Sequence, residues 1–285
     1  MDRQSRTQRR AGVRTSLTER DEALLRALAR FRLARTSQLV ALIFGQVRRD
    51  TAAERLRRLY DARYLDVRSP DRSQENLYGL GPAGRDWLKG KGVAAGAVPR
   101  GGLEHHLGVV EAWVQLAASA HAAPGWRLEL FRPDWEMREH HAGASLRLVP
   151  DGLVRLSRAD AEGRQEPTHF ALEVDRRTER PPELRRKVGQ YEELRTSSSG
   201  IFGLPDAGLV FVLEESGSRR QAAVEEILRC EWGGWWLIWD RTEPTAQLFK
   251  QLEQTPLTRS PCGKGSDQSV SPIGARRTNM VETGH

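Results

Sequence analysis

Cysteine is scarce, with only Cys230 and Cys262 among 285 residues. That number supports neither a disulfide framework nor a zinc-ligand pattern, and it predicts a reducing, cytoplasmic setting. Long apolar runs are missing too. The longest runs, such as "WWLIW" at 235–239, fall far short of the roughly 20 residues that a helix needs to cross a bilayer. The N-terminal "MDRQSRTQRRAGVRTS" is charged and lacks the apolar segment of a secretory signal, so no membrane partner is expected. No long heptad seam runs through the chain, which removes a coiled coil, although a homodimer through another surface is still admitted. Lysine is absent from residues 1–72, where 18 Arg face 9 Asp and Glu. That block carries +9 in a chain whose total is +7, leaving the rest slightly acidic. A basic block built only from arginine suits a polyanion, because the planar guanidinium forks onto phosphate or onto a guanine edge.

With 38% hydrophobic residues and a mean hydropathy of -0.60, the chain can bury two modest cores, and two domains with tails is the expected organisation. "SLTERDEALLRALARF" opens with Thr18 three residues before Asp21, a capping-box spacing, and continues with Leu24, Leu25 and Leu28 at helical intervals. A helix of about 13 residues follows. A second short helix is expected over 36–44, capped by Thr36 or Ser37 and ended by Gly45. In the third, "RRDTAAERLRRLYDARYL", Ala52, Leu56, Leu59, Tyr60 and Arg63 form the core-facing side.

Arg48, Thr51, Arg55 and Arg58 make a stripe on the flank of that third helix, with Arg49 beside it. "YLDVRS", the turn-forming "PDRSQEN" and "LYGLG" read as a β-hairpin carrying Arg68 and Arg72 near its tip. Three helices and a hairpin make a winged helix-turn-helix over 17–89, with double-stranded DNA as partner. The competing reading is a merely solvated arginine face.

"GKGVAAGAVPRGG" at 90–102 is the expected linker. Beyond it, a helix presents Leu107, Val110, Val114 and Leu116 to a second core. His105 and His106 are adjacent and do not readily share one ion, so a structural or solvent role is expected for them, as for His140 and His141. Strands are expected at 126–131, 145–157 and 168–175, a helix at 182–195 and a strand at 208–213. A further helix, the aromatic strand "WWLIWD" and a last helical piece complete the second domain at about residue 254. Residues 1–16 and 255–285 read as a disordered arm and tail. The tryptophans at 232, 235, 236 and 239 are expected mainly as core packing.

On the strand 168–175, Phe170, Leu172 and Val174 share one face, and Ala171, Glu173 and Asp175 the other. If that strand pairs with the one before it, Asp151 of "PDG" approaches Glu173. Three such carboxylates suit Mg2+ or Mn2+, which can polarise a phosphodiester and activate water.

"PDG", then "EVD" with 21 residues between the two acids, inside a helix, three strands, helix, strand series, resembles the PD-(D/E)XK restriction-endonuclease-like superfamily. Joined to a winged helix, and with "HHLGVV" opening the second domain, the whole resembles the replication-relaxation family of plasmid and mobile-element proteins. The resemblance implies a mixed α/β chain with a restriction-endonuclease-like αβββαβ second domain over 103–254, and a role in plasmid replication, relaxation or transfer alongside a replication or relaxation protein. It also implies Asp151 and Glu173 as metal ligands. Asp175 departs from the pattern, since active members usually carry lysine there. A replacement cation is expected from Lys187, which shares a helix face with Tyr191, or from Arg176 or Arg177. Three readings follow: a DNA-binding protein with a nuclease-like platform, a metal-dependent endonuclease or nickase, and a transcriptional or protein-interaction module.

Overall fold

The structure is a computed structural model that describes residues 8–45, 47–69, 74–98, 102–140, 148–176, 179–197, 200–204, 206–214 and 217–254. The expected tail 255–285, hairpin-tip Arg72, His141 and Arg177 lie outside the described residues. Within them the chain is a mixed α+β protein with two sheets.

Helix α1 (Glu19–Phe31) begins as its sequence predicts, with Thr18 accepting from the Asp21 N–H and Asp21 returning the bond to the Thr18 N–H. Strand β1 (Ala34–Arg35) leads into α2 (Thr36–Leu39), which widens into a π-helical turn over Val40–Phe44 before Gly45 stops it at a positive φ of 53°. Neither Thr36 nor Ser37 caps α2. Their hydroxyls donate instead to the Asn76 carbonyl and to Glu75, so contacts with the hairpin override the local cap. Helix α3 (Arg49–Asp61) buries Ala52, Leu56, Leu59 and Tyr60, while Arg63 lies beyond its end at a positive φ and is exposed. Strands β2 (Leu65–Arg68) and β3 (Leu77–Leu80) pair as the expected hairpin, and β1 adds to β3 for the order β1-β3-β2. Helix α4 (Pro82–Gly90) closes this first unit. Residues 8–16, expected within a disordered arm, lie against it, with Arg9 on the Tyr60 and Leu65 carbonyls and the Arg10 N–H on Asp61.

The second unit opens with α5 (Leu103–Ala122), which buries Leu107, Val110, Val114 and Leu116 as its pattern predicts. Strand β4 (Trp126–Pro133) is followed by an unanticipated short helix, α6 (Asp134–His140). The next strand starts later than expected: β5 is Gly152–Ala159, because Pro150 has no N–H for a ladder and Asp151 uses its side chain instead. Then come β6 (Gln165–Asp175), α7 (Pro181–Thr196), β7 (Gly208–Leu213), α8 (Ser218–Glu231), β8 (Trp236–Asp240) and α9 (Ala246–Gln254). The sheet runs β4-β5-β6-β7-β8, antiparallel from β4 through β6 and parallel from β6 through β8. Trp232 and Trp239 are buried, and Trp235 and Trp236 half-buried.

The stretch 90–102 separates the units in sequence but not in space. Val93 and Ala95 pack on the main core, which is continuous across both units, and Val98 packs on Leu33, Leu77 and Leu107. Gly96 lies so close to Arg32 that a Cβ there would meet the guanidinium at 2.5 Å. Gly96, in the stretch read as the linker, therefore serves close approach.

Arg55 ties α3 to the start of α1. Its Nε donates to Asp21 Oδ1 at 2.9 Å, a second nitrogen reaches Oδ2, and Asp21 is only 1% exposed. Burial alone would raise the Asp21 carboxyl, but bonds from Arg55 and Thr18 hold it below its ordinary value of 3.8. Replacing Asp21 by Ala removes both a cap and the partner of a half-buried guanidinium, a loss of about 3 kcal/mol. Urea unfolding at pH 7 is expected to show that loss. Because the folded carboxyl is depressed, the contribution is complete above the ordinary value and disappears as pH falls through the lowered one. The variant and the parent should therefore converge in stability in strong acid.

Candidate nucleic-acid interface and acidic cleft

The outer face of α3 and the hairpin hold most of the predicted DNA-contacting residues. Arg48, Arg49, Thr51, Arg58 and Arg68 are all exposed. Arg49, with 73% of its side chain exposed, pairs with Glu75 at 3.0 Å, and Arg58 pairs with Glu54 one turn back at 3.2 Å. Surface pairs of this kind are worth little and give way readily to phosphate. Arg55 is a different case. Helical spacing alone placed it in the stripe, but Asp21, Thr15 and the Ser16 carbonyl draw its guanidinium inward.

In the second unit, the alternation along β6 sorts its side chains as expected. Phe170, Leu172 and Val174 enter the main core, and Ala171 lies in the separate core beneath α7 and α8. Glu173 follows Ala171 on that side and is 1% exposed. Two residues of α7, four apart and hence on one helix face, meet its carboxylate. The Tyr191 hydroxyl donates to Oε1, and the Lys187 ammonium lies 2.6 Å from Oε2 and 3.0 Å from Glu179 Oε1.

The β5–β6 register pairs Gly152 with Leu172, which brings the preceding Asp151 opposite Glu173. Asp151 Oδ2 accepts the Val174 N–H at 2.8 Å, and Oδ1 lies 2.9 Å from His105 Nε2. The resulting cleft is lined by His105, Glu173, Asp175, Arg176, Glu179 and Lys187.

The charges in this cluster act on one another. Burial, reinforced by the nearby Asp151, pushes the Glu173 carboxyl up to about 8 against the pull of Lys187. Burial would also raise Asp151, but the hydrogen bond and charge of His105 and the charge of Lys187 hold it below the usual carboxylate range. The bond to Asp151 raises His105. Burial disfavours the charged form of Lys187, and Glu173 and Asp151 more than offset that.

Asp175 does not join this group. Arg220 of α8 holds both its oxygens, at 2.6 and 2.9 Å. Arg176 donates to Glu214 at 2.8 Å, and Arg241 holds the other oxygen of Glu214 at 3.0 Å. Of Lys187 and Arg176, Lys187 is the one whose charged end reaches Glu173. Among the described residues no three His, Cys, Asp or Glu side chains converge to hold a metal ion. The three-carboxylate arrangement expected from the sequence is therefore not assembled. Mg2+ usually needs only one or two carboxylates beside water and phosphate. Asp151 and Glu173 fit it in donor chemistry, and their mutual repulsion is what a divalent cation would relieve.

His105 is the member of the cleft that sequence reasoning missed. Adjacent histidines do not readily share one ion, which points both to a structural or solvent role, yet neighbours on a helix point about 100° apart. His106 goes inward, its Nε2 donating to the Phe31 carbonyl at 2.7 Å and its ring against Trp135, while His105 goes to Asp151.

Removing the ammonium should expose the cost of burying two carboxylates together. Lys187→Met is expected to lower the melting temperature by several degrees, and Glu173→Gln added to it should recover part of the loss. Strictly additive losses in thermal unfolding would contradict the coupling.

No helix among the described residues is long and apolar enough to cross a membrane. No curated protein and no solved structure matches the chain. The replication-relaxation family description matches residues 25–203, more than half of the 285 and spanning both the arginine-bearing helix and the Asp151–Glu173–Lys187 cluster, and the chain belongs to that family.

Proposed function

We propose that the protein is a DNA-binding protein acting in the replication, relaxation or transfer of a plasmid or other mobile element, beside a replication or relaxation protein. In this reading the first unit is a winged helix-turn-helix and the second a restriction-endonuclease-like domain of the PD-(D/E)XK type. The observation that carries it is the exposed stripe of Arg48, Thr51 and Arg58 along α3 and the residue before it, with Arg49 at the helix start and Arg68 on the hairpin, in a block of net charge +9. A helix of this exposure and charge suits the major groove, where guanidinium groups neutralise phosphates and read guanine.

Binding should be strongly salt-dependent. Arg48→Ala with Arg58→Ala is expected to weaken duplex binding and to reduce the slope of log K against log salt by about 2, roughly one per lost phosphate contact. Arg55→Ala should leave the slope unchanged while lowering stability. Titrations at several salt concentrations check both, and an unaltered slope in the double variant would reject the assignment of α3.

A second reading, a Mg2+- or Mn2+-dependent endonuclease or nickase, draws support from Lys187. It stands beside Glu173 and Asp151 although the usual lysine position holds Asp175. A divalent ion bound by Asp151 and Glu173 would supply polarisation of a phosphodiester and activation of water. The residues themselves have separate tasks. His105 and the Val174 N–H orient Asp151, Tyr191 fixes Glu173, and the Lys187 ammonium stabilises negative charge developing in the cleft. If this reading holds, supercoiled plasmid incubated with the protein and Mg2+ or Mn2+ becomes nicked or linear, and Glu173→Ala abolishes that product. Intact supercoiled plasmid under both ions would leave the second unit as a binding platform.

A further inference from the structure

Four ion-paired or hydrogen-bonded links trace a continuous surface from the arginine-bearing helix to the acidic cleft. Arg49 at the start of α3 meets Glu75, and the same Glu75 accepts from the Ser37 N–H and hydroxyl at the start of α2. Two residues before Ser37, Arg35 pairs with Glu104 in the first turn of α5 at 2.6 Å. The next residue, His105, borders the cleft and contacts Asp151. The joint beneath this path is buried and closely bonded. The Gln38 amide donates to the Leu107 carbonyl at 2.9 Å, His106 to the Phe31 carbonyl at 2.7 Å, and the Trp135 indole to the Arg30 carbonyl at 3.0 Å. Arg30 adds a pair to Glu136 at 2.7 Å, and Phe31 packs on Trp113 with ring centres 4.4 Å apart. Buried polar bonds inside a shared apolar core resist hinge motion, because opening would leave each donor and acceptor unsatisfied.

We propose that the two units engage one and the same DNA duplex as a rigid body, with the helix α3 site and the His105–Lys187 cleft held at a fixed spacing along it. The charge distribution favours this arrangement. Residues 1–72 carry +9, whereas the remainder is net acidic and poorly equipped to capture a polyanion alone. Fixing the second unit to the first makes its contact intramolecular, which raises the effective DNA concentration at the cleft without further basic residues. A flexible tether would spread that contact over many positions. A shared core confines it to one.

The proposal rests on the DNA-binding reading, and tethered cleavage separates the two. In a full-length chain with Cys230 and Cys262 replaced by Ser, an iron chelate is attached in turn to Glu104→Cys and Glu179→Cys. Each is then mixed with a duplex that the parent protein protects from hydroxyl radicals. The expected result is a sharp cleavage cluster from each tether on the same flank of the protected site, with the position-179 cluster farther out, at an offset unchanged between duplexes of different flanking sequence. Cleavage absent from position 179, or spread over both flanks, on DNA that is still protected overturns the rigid two-unit engagement. Absence of any protected site by the parent protein overturns the DNA-binding reading itself.

Discussion

The contact between the C-terminus of α1 and the N-terminal half of α5 is the constraint on which the arrangement of both units depends. The carbonyl of Phe31 lies at the end of a helix, where no further turn supplies an intrahelical donor. Beside the Leu33 N–H, His106 supplies a donor from the second unit, and burial lowers its pKa. Once His106 points inward, helical geometry turns His105 toward the end of the central sheet, where Asp151 waits. The bonds from His106 to the Phe31 carbonyl and from Gln38 to the Leu107 carbonyl thus orient the helix that feeds the candidate site.

The cleft shows how a sheet edge can hold opposing charges at close quarters. Glu173 is buried by the alternation of β6 and brought near Asp151 by the antiparallel register. That proximity is unfavourable unless cations approach, and three groups moderate it: the ammonium of Lys187, the hydroxyl of Tyr191 and the imidazole of His105. Nearby, Asp175 and Glu214 are neutralised by Arg220, Arg176 and Arg241. Gly108 on α5 sits against Glu214 so tightly that any Cβ there would collide with its carboxylate. The glycine in "HHLGVV" therefore accommodates this charge network.

Much of the architecture was legible because it follows from local chemistry. The capping box at Thr18 and Asp21, the leucines of α1, the hairpin and the apolar run of β7 all encode their own conformation. Legibility failed where a residue's partner lies far along the chain. Arg55 belonged to an exposed stripe by helical spacing, and only the packing of α3 against α1 turned it inward to Asp21. Asp175 shared a strand face with Glu173, but the strand ends there and the helix α8 above it presents Arg220. Gly96 belonged to a stretch that read as a linker, whereas close approach to Arg32 is what it permits.

The sequence by itself determined the types of the elements, the face on which Glu173 lies, the concentration of arginine in the first unit and the candidacy of Lys187, since periodicity and charge are properties of neighbouring residues. The tertiary structure decided which cation reaches Glu173, which arginines remain free to face a partner, that His105 completes the cleft, and that the two units share one core. Those are outcomes of contact between segments that can lie 105 residues apart, and no local spacing contains them.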